Sequence, residues 1–260
     1  MDLGLAGKVA LVTGSHRGTG EGIATQLAAE GATVFVHGFE PGQPEPVAAR
    51  LRAAGCDAHP VVGDICNDDG AAAVAAAVLA QVGRVDVLVN NYGEAARGSW
   101  LETSTDAWVE IYQKNVLSGV RLVRSFVPGM RERGFGRVVW LGTIGSLRPA
   151  ARMPHYYASK SVLPNVCVSL AKELAGTGIT VNVVSPGLIS TAEVKAQMER
   201  QAQRGGTERS PFDSLLDNPS GRMAEIDEVA SLVVFVASER AAMINGANLR
   251  IDGGATDCAV

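Results

Sequence analysis

The sequence predicts an α/β protein, with a doubly wound parallel sheet of about seven strands and helices on both faces, in a single domain spanning 1–260. Three observations carry this. Short apolar runs recur along the chain, most of them ending in glycine, serine or asparagine, and the stretches between them have helical spacing. Strands alternating with helices imply one parallel sheet covered on both faces. No Pro/Gly/Ser-rich linker divides the pattern.

Taken in order, "KVALVTG" and "ATVFVHG" read as buried strands, and "GTGEGIATQLAAEG" between them as a helix closed by a glycine C-cap. A helix follows within 45–54, then strand "AHPVVG", an alanine-rich helix over 68–82, and strand "VDVLVNN". The next pair is a helix over 105–132 and strand "RVVWLG". A helix from about 154 to 177, strand "TVNVVS", a helix over 224–238 and a last strand in "ANLRI" complete the alternation. The segment 190–222 is polar and interrupted, and its place between the last two strands predicts a lid.

A formal charge of −4 with no run of Lys or Arg argues against a chain built mainly to hold nucleic acid or anionic lipid. Cys56, Cys66, Cys167 and Cys258 are scattered without CxxC pairing or a histidine at ligand spacing, so they read as small buried thiols and no metal site is expected. The first apolar run stops far short of a membrane span and no basic leader precedes it, which predicts a soluble, cytoplasmic protein.

Two motifs carry chemistry. "TGSHRGTG" runs from Thr13 to Gly20 between the first strand and the first helix. There Gly14, Gly18 and Gly20 let the backbone approach a phosphate, and the helix N-terminus offers unpaired N–H groups. The spacing is not GxGxxG, and such a turn can also be a plain tight turn; its position at the head of the sheet favours binding. The second motif is "HYYASK". Tyr156 and Lys160 are four apart and share one helix face, whereas Tyr157 points about 100° away. An ammonium ~4 Å from a phenol, at an effective dielectric of ~20, is worth ~4 kcal/mol, enough to draw Tyr156 down towards neutrality as an acid/base. The plainer alternative is a tyrosine stacked on a surface lysine stem.

Together with "NNYG", Asn115 in "KNV" and "SPGLIST", these motifs make the chain resemble the short-chain dehydrogenase/reductase family over nearly its whole length, with a Rossmann fold. The resemblance implies that Tyr156 is the acid/base and that Lys160 holds the nicotinamide ribose and lowers the Tyr156 pKa. It implies further that Asn115 positions a water leading from Lys160. The family's serine, thirteen residues before the tyrosine, corresponds to Thr143, which keeps the hydroxyl and adds a methyl; Ser146 is the alternative.

By the same resemblance Gly14, Ser15, His16, Arg17, Gly18, Thr19 and Gly20 form the cofactor turn. Asp64 and Ile65 lie near the adenine, Asn90, Asn91 and Gly93 flank the cofactor, and Pro186, Gly187, Ile189 and Thr191 meet the nicotinamide end. An NAD-preferring site places a carboxylate about 20 residues beyond the glycines. Here that position is Gly38, and Arg17 resembles the basic residue of relatives that use NADP(H). NADP(H) is therefore favoured over NAD(H), although Phe39 replaces a second arginine and Glu40 follows.

Two departures stand out. Tyr92 replaces the small residue of NNAG and either crowds the cofactor mouth or fills core, and Pro164 predicts a bend directly after Lys160. Glu94, Arg97, Trp100, Arg148, Met153 and Leu188 are candidate substrate contacts, with small keto-acids and greasy ketones both open. The expected activity is hydride transfer between a nicotinamide cofactor and a ketone or secondary alcohol, of carbonyl reductase or 3-oxoacyl reductase type. A dinucleotide-binding sensor would not need Tyr156, Lys160 and Asn115 together, and a lyase like the halohydrin dehalogenases usually lacks the lysine and the glycine turn. The resemblance also implies a homotetramer or homodimer joined through 105–132, 154–177 and the C-terminal strand region.

Overall fold

The computed structural model describes residues 1–203 and 218–258. Seven strands form one parallel sheet: β1 (Val9–Val12), β2 (Thr33–Gly38), β3 (Ala58–Val62), β4 (Val87–Asn90), β5 (Gly136–Leu141), β6 (Ile179–Pro186) and β7 (Asn248–Ile251). Their spatial order is β3-β2-β1-β4-β5-β6-β7. The order reverses between β1 and β4, so the connections from those two strands leave in opposite directions and open a crevice at the C-terminal edge.

Alternation along β1 shows how the sheet divides the core. Val9 and Leu11 pack on one face with α3 (Asp68–Val82), α5 (Ser118–Arg133) and α7 (Leu163–Glu173). Ala10 and Val12 pack on the other with α1 (Gly18–Ala29), α2 (Glu45–Ala53) and a helix labelled α9 (Ile226–Val236). A Cβ on Gly22 would stand 2.3 Å from Ile226 Cγ2, so glycine is what lets α1 and α9 approach. Asn67 caps α3 through its side chain, and Gly83 closes that helix in the left-handed region.

The two long helices differ from the sequence expectation. The first is α4 (Thr105–Tyr112), a π-helical turn over Gln113–Leu117, and α5. The second is α6 (Pro154–Ser161) and α7, interrupted at Val162, and it ends at Glu173 rather than 177. The break comes two residues later than the bend expected after Lys160, because Pro164 takes an early position in a new helix, where its missing N–H costs little.

The expected lid begins as α8 (Ala192–Gln203) rather than as irregular chain, and 204–217 lie outside the described residues. Only Cys167 is a fully buried thiol. Cys56, Cys66 and Cys258 are half-buried because they lie in connecting segments rather than under the sheet. Among the described residues no helix is long and apolar enough to cross a membrane.

Candidate active site

The glycine turn is held from three sides. Gly14 and Gly18 have φ of 61° and 59°, the left-handed region where glycine carries no steric penalty. The buried Ser15 does not face the cleft: its hydroxyl donates to the Val12 carbonyl at 2.7 Å and accepts from His37 N at 2.9 Å. Asn91 Nδ2 donates to the Thr13 carbonyl at 2.8 Å, and Tyr92 N donates to Thr13 Oγ1 at 3.0 Å. A Cβ on Gly20 would stand 2.5 Å from Asn91 Nδ2, so this clasp also depends on glycine. Arg17 occupies the N-cap of α1 without a side-chain capping bond, which leaves the first-turn N–H groups available to an anion.

His37 is the residue that the sequence reading missed. Its Nδ1 accepts from Gly14 N at 3.0 Å, so Nε2 carries the proton towards the Gly63 carbonyl, also at 3.0 Å. Burial pushes its pKa down to about 4, which keeps the ring neutral and able to accept. A histidine as the next-to-last residue of a strand beside a phosphate turn was the available signal.

Thr143 follows β5 and lines the same cleft as Tyr156, whose pKa its side chain draws down. Thr143 Oγ1 also accepts from Gly145 N at 3.1 Å, which fixes its rotamer. Ser146 Oγ instead donates to the Thr143 carbonyl at 2.7 Å, so it braces the turn. Tyr157 has a packing role: a Cβ on Gly145 would lie 2.1 Å from its ring.

Lys160 is buried, and its Nζ donates to the Leu141 carbonyl at 2.8 Å. A Cβ on Gly93 would stand 2.8 Å from that Nζ and 2.7 Å from Asn115 Oδ1, so Gly93 keeps lysine and asparagine adjacent. Asn115 lies in the π-helical turn. Its Oδ1 accepts from Glu94 N at 2.7 Å, and its Nδ2 donates to Glu94 O at 3.1 Å and to Ser159 Oγ at 2.9 Å.

The expected lowering of Tyr156 towards neutrality is not found. Burial pushes its pKa up to about 12 against the opposing pull of the Thr143 hydrogen bond, and burial lowers Lys160 to about 8. The lysine amine is committed to a carbonyl, so desolvation outweighs the charge attraction that the four-residue spacing implied.

The cleft at the β1/β4 reversal has a volume of about 920 Å³. The family model described as Enoyl-(Acyl carrier protein) reductase matches residues 14–256, a span that includes Gly14 to Gly20, Tyr156, Lys160 and the last strand. The chain belongs to the short-chain dehydrogenase/reductase family. It is an oxidoreductase of that family, and its fold implies a nicotinamide cofactor.

Among its relatives is 3-oxoacyl-[acyl-carrier-protein] reductase FabG of Pseudomonas aeruginosa, 32% identical over 97% of this chain and 98% of that protein. The L-sorbose reductase of Gluconobacter frateurii, solved in complex with NADPH and L-sorbose, is 33% identical, with a TM-score of 0.93 over 100% of both chains. A 3-oxoacyl (acyl-carrier-protein) reductase from Agrobacterium tumefaciens C58, solved with NADP bound, is 31% identical, with a TM-score of 0.89 over 97% of this chain and 96% of that one.

In this short-chain dehydrogenase/reductase the cleft is lined by Gly14, His16, Arg17, Gly18, Thr19 and Gly20 at one wall and by Asn91, Gly93 and Glu94 at its floor. Thr143, Tyr156, Lys160, Pro186, Gly187, Ile189 and Thr191 line it further along. These groups fit a dinucleotide, because the free helix N-terminus and the glycines that a Cβ would obstruct lie on the same crevice.

Several expected contacts do not line the cleft. Asp64 accepts from Cys66 N and Asn67 Nδ2, closing the turn after β3, and Ile65 is buried in the core. Asn90 is buried, with Gly119 of α5 and Trp140 beside it. Arg97 and Leu188 stand off the cleft, the latter buried. Trp100 is 67% exposed and packs on Trp108. Arg148 binds the Ala255 carbonyl and pairs with Asp257 at 3.6 Å, so it holds the C-terminal segment. Met153, at φ 72°, donates its N–H to Gly98 O.

Tyr92 combines both expectations: it lines the cleft while its ring packs 4.4 Å from Phe39 and its hydroxyl bonds Cys66. Glu94 is held by Lys114 at 2.7 Å, a partner the sequence did not announce.

Proposed function

We propose that this enzyme is an NADP(H)-dependent reductase of ketones, and dehydrogenase of the matching secondary alcohols. The observation that carries the reading is Tyr156, partly accessible on the cleft, with Thr143 and Lys160 lining the same cleft. The nicotinamide supplies the hydride in reduction and accepts it in oxidation.

The chain's part is the proton and the geometry. In reduction the Tyr156 hydroxyl gives its proton to the carbonyl oxygen, and in oxidation the phenolate takes one from the alcohol. Thr143 orients the oxygen from the second side, and Lys160 holds the nicotinamide ribose. The remaining lone pair of Asn115 Oδ1, beside Lys160, suits the water relay by which that lysine would exchange protons.

Arg17 would meet the 2′-phosphate of NADP(H), since Gly38 presents no competing carboxylate. The two acyl-carrier-protein reductases and the sorbose reductase support a carbonyl substrate, acyl or sugar. Self-association is part of the proposal: the α5 and α7 faces form a largely apolar groove of about 680 Å³ that includes Val120, Val123, Val127, Val166 and Leu170. The test is a panel of 3-oxoacyl thioesters, ketoses and simple ketones with both cofactors, followed at the nicotinamide absorbance. Turnover that survives Tyr156→Phe would overturn the assignment.

A further inference from the structure

Arg17 is not free in this structure. Its Nε lies 3.5 Å from Glu193 Oε1, and the two side chains are 70% and 54% exposed. The residues come from two different elements that line the cleft. Arg17 is the N-cap of α1, and Glu193 lies in the first turn of α8, where the helix N-terminus stabilises its negative charge. That turn is fixed in place: Thr191 Oγ1 accepts from Val194 N at 3.3 Å, and Ser190 N donates to the Ala224 carbonyl at 2.8 Å. Both Arg17 and Glu193 line the cleft, as does a second carboxylate, Glu40.

We propose that Glu193 is a specificity-determining residue, whose carboxylate competes with the cofactor 2′-phosphate for the Arg17 guanidinium and so limits the preference for NADP(H) over NAD(H). This rests on the reading of Arg17 as the phosphate-binding residue. Arg17 can face α8 or the ribose, and a guanidinium forks onto one carboxylate or one phosphate at a time. NADPH must displace Glu193 from it and then tolerate the released carboxylate near a dianion. NADH carries no 2′-phosphate, so it leaves the pair undisturbed. Glu193 therefore acts on one cofactor and not on the other.

The test is a double-mutant cycle on dissociation constants for NADPH and NADH, measured by cofactor fluorescence on the full-length chain with wild type, E193Q, R17S and the double variant. Loss of an exposed ion pair together with relief of a like-charge contact should tighten NADPH roughly three- to tenfold in E193Q and leave NADH within about twofold. In the R17S background only the like-charge part remains, so the same change should gain clearly less than it does beside Arg17.

Equal gains in both backgrounds would overturn the proposal, because Glu193 would then be acting by general repulsion. Equal gains for NADH would overturn it too, because the effect would lie on phosphates that both cofactors share. If R17S weakens NADPH and E193Q changes nothing, the proposal fails while the role of Arg17 stands. If R17S leaves NADPH binding untouched, the role of Arg17 fails first.

Discussion

Tyr156 and Tyr157 are adjacent in sequence and do different work. Tyr156→Phe removes the proton donor and should lower turnover by ~10²-fold or more, whereas Tyr157→Phe keeps the ring that packs on Gly145 and should stay near wild type. Steady-state rates of the two variants, with folding checked by circular dichroism, decide this. Thr143→Val removes the hydroxyl at similar volume and should cost ~10²- to 10³-fold, with Thr143→Ser retaining activity; a larger loss in Ser146→Ala would reverse the roles.

Two buried bases contribute to the pH dependence of stability. His37 has a folded pKa of about 4 against an ordinary 6.5, so between those values the unfolded chain binds more protons and stability falls as the pH falls. Lys160, at about 8 against 10.5, adds stability as the pH rises from 8, until above about 9 the Cys66 and Cys167 thiols, whose pKa values burial pushes up, oppose it. Urea midpoints across both ranges test the signs, and His37→Gln should flatten the acid limb alone. Tyr156 was legible in the sequence because helical spacing fixes which tyrosine shares a face with Lys160. His37 was less so: its place next to last in β2 marks it, but its role comes from the register of β2 against the turn and β3, which no local spacing records.

At the scale of elements, the alternation of apolar runs and helical stretches marked all seven strands, most plainly β1, β4, β5 and β6, where burial on both faces leaves little choice of residue. The interruptions were less legible. Pro164 announced a break but not its place, since proline at an early helical position and proline inside a helix have the same local sequence. The π-helical turn at Gln113–Leu117 leaves no mark in residue type at all. It is set by the need to bring Asn115 to Glu94 and Ser159 while α5 keeps Leu122, Phe126 and Met130 in the core.

Gly145 tests how the short turn after β5 and α6 are matched. Gly145→Ala would drive a methyl into the Tyr157 ring, displacing the turn that carries Thr143. Turnover should fall by at least tenfold while NADPH affinity changes little, as read by kcat against the dissociation constant. Equal losses in both would mean the turn supports the cofactor as well.

For the whole molecule, the groove on α5 and α7 is the surface proposed for self-association. Light scattering at micromolar concentration should show a dimer or tetramer, and Val166→Glu, which places a charge in that groove, should yield monomers. Identical masses for variant and wild type would contradict this.

The pairing of β1 with β4 also has a consequence for the order in which the chain matures. Val12 meets Val89 only after β2, β3 and their helices have been made, and Asn91 and Tyr92, which clasp Thr13, come later still. As the polypeptide emerges from the ribosome, the glycine turn is among its first segments and waits, without its clasp, for a partner synthesised long afterwards. Cofactor affinity is therefore a late property of an early segment, and a nascent chain shorter than about 92 residues should show none.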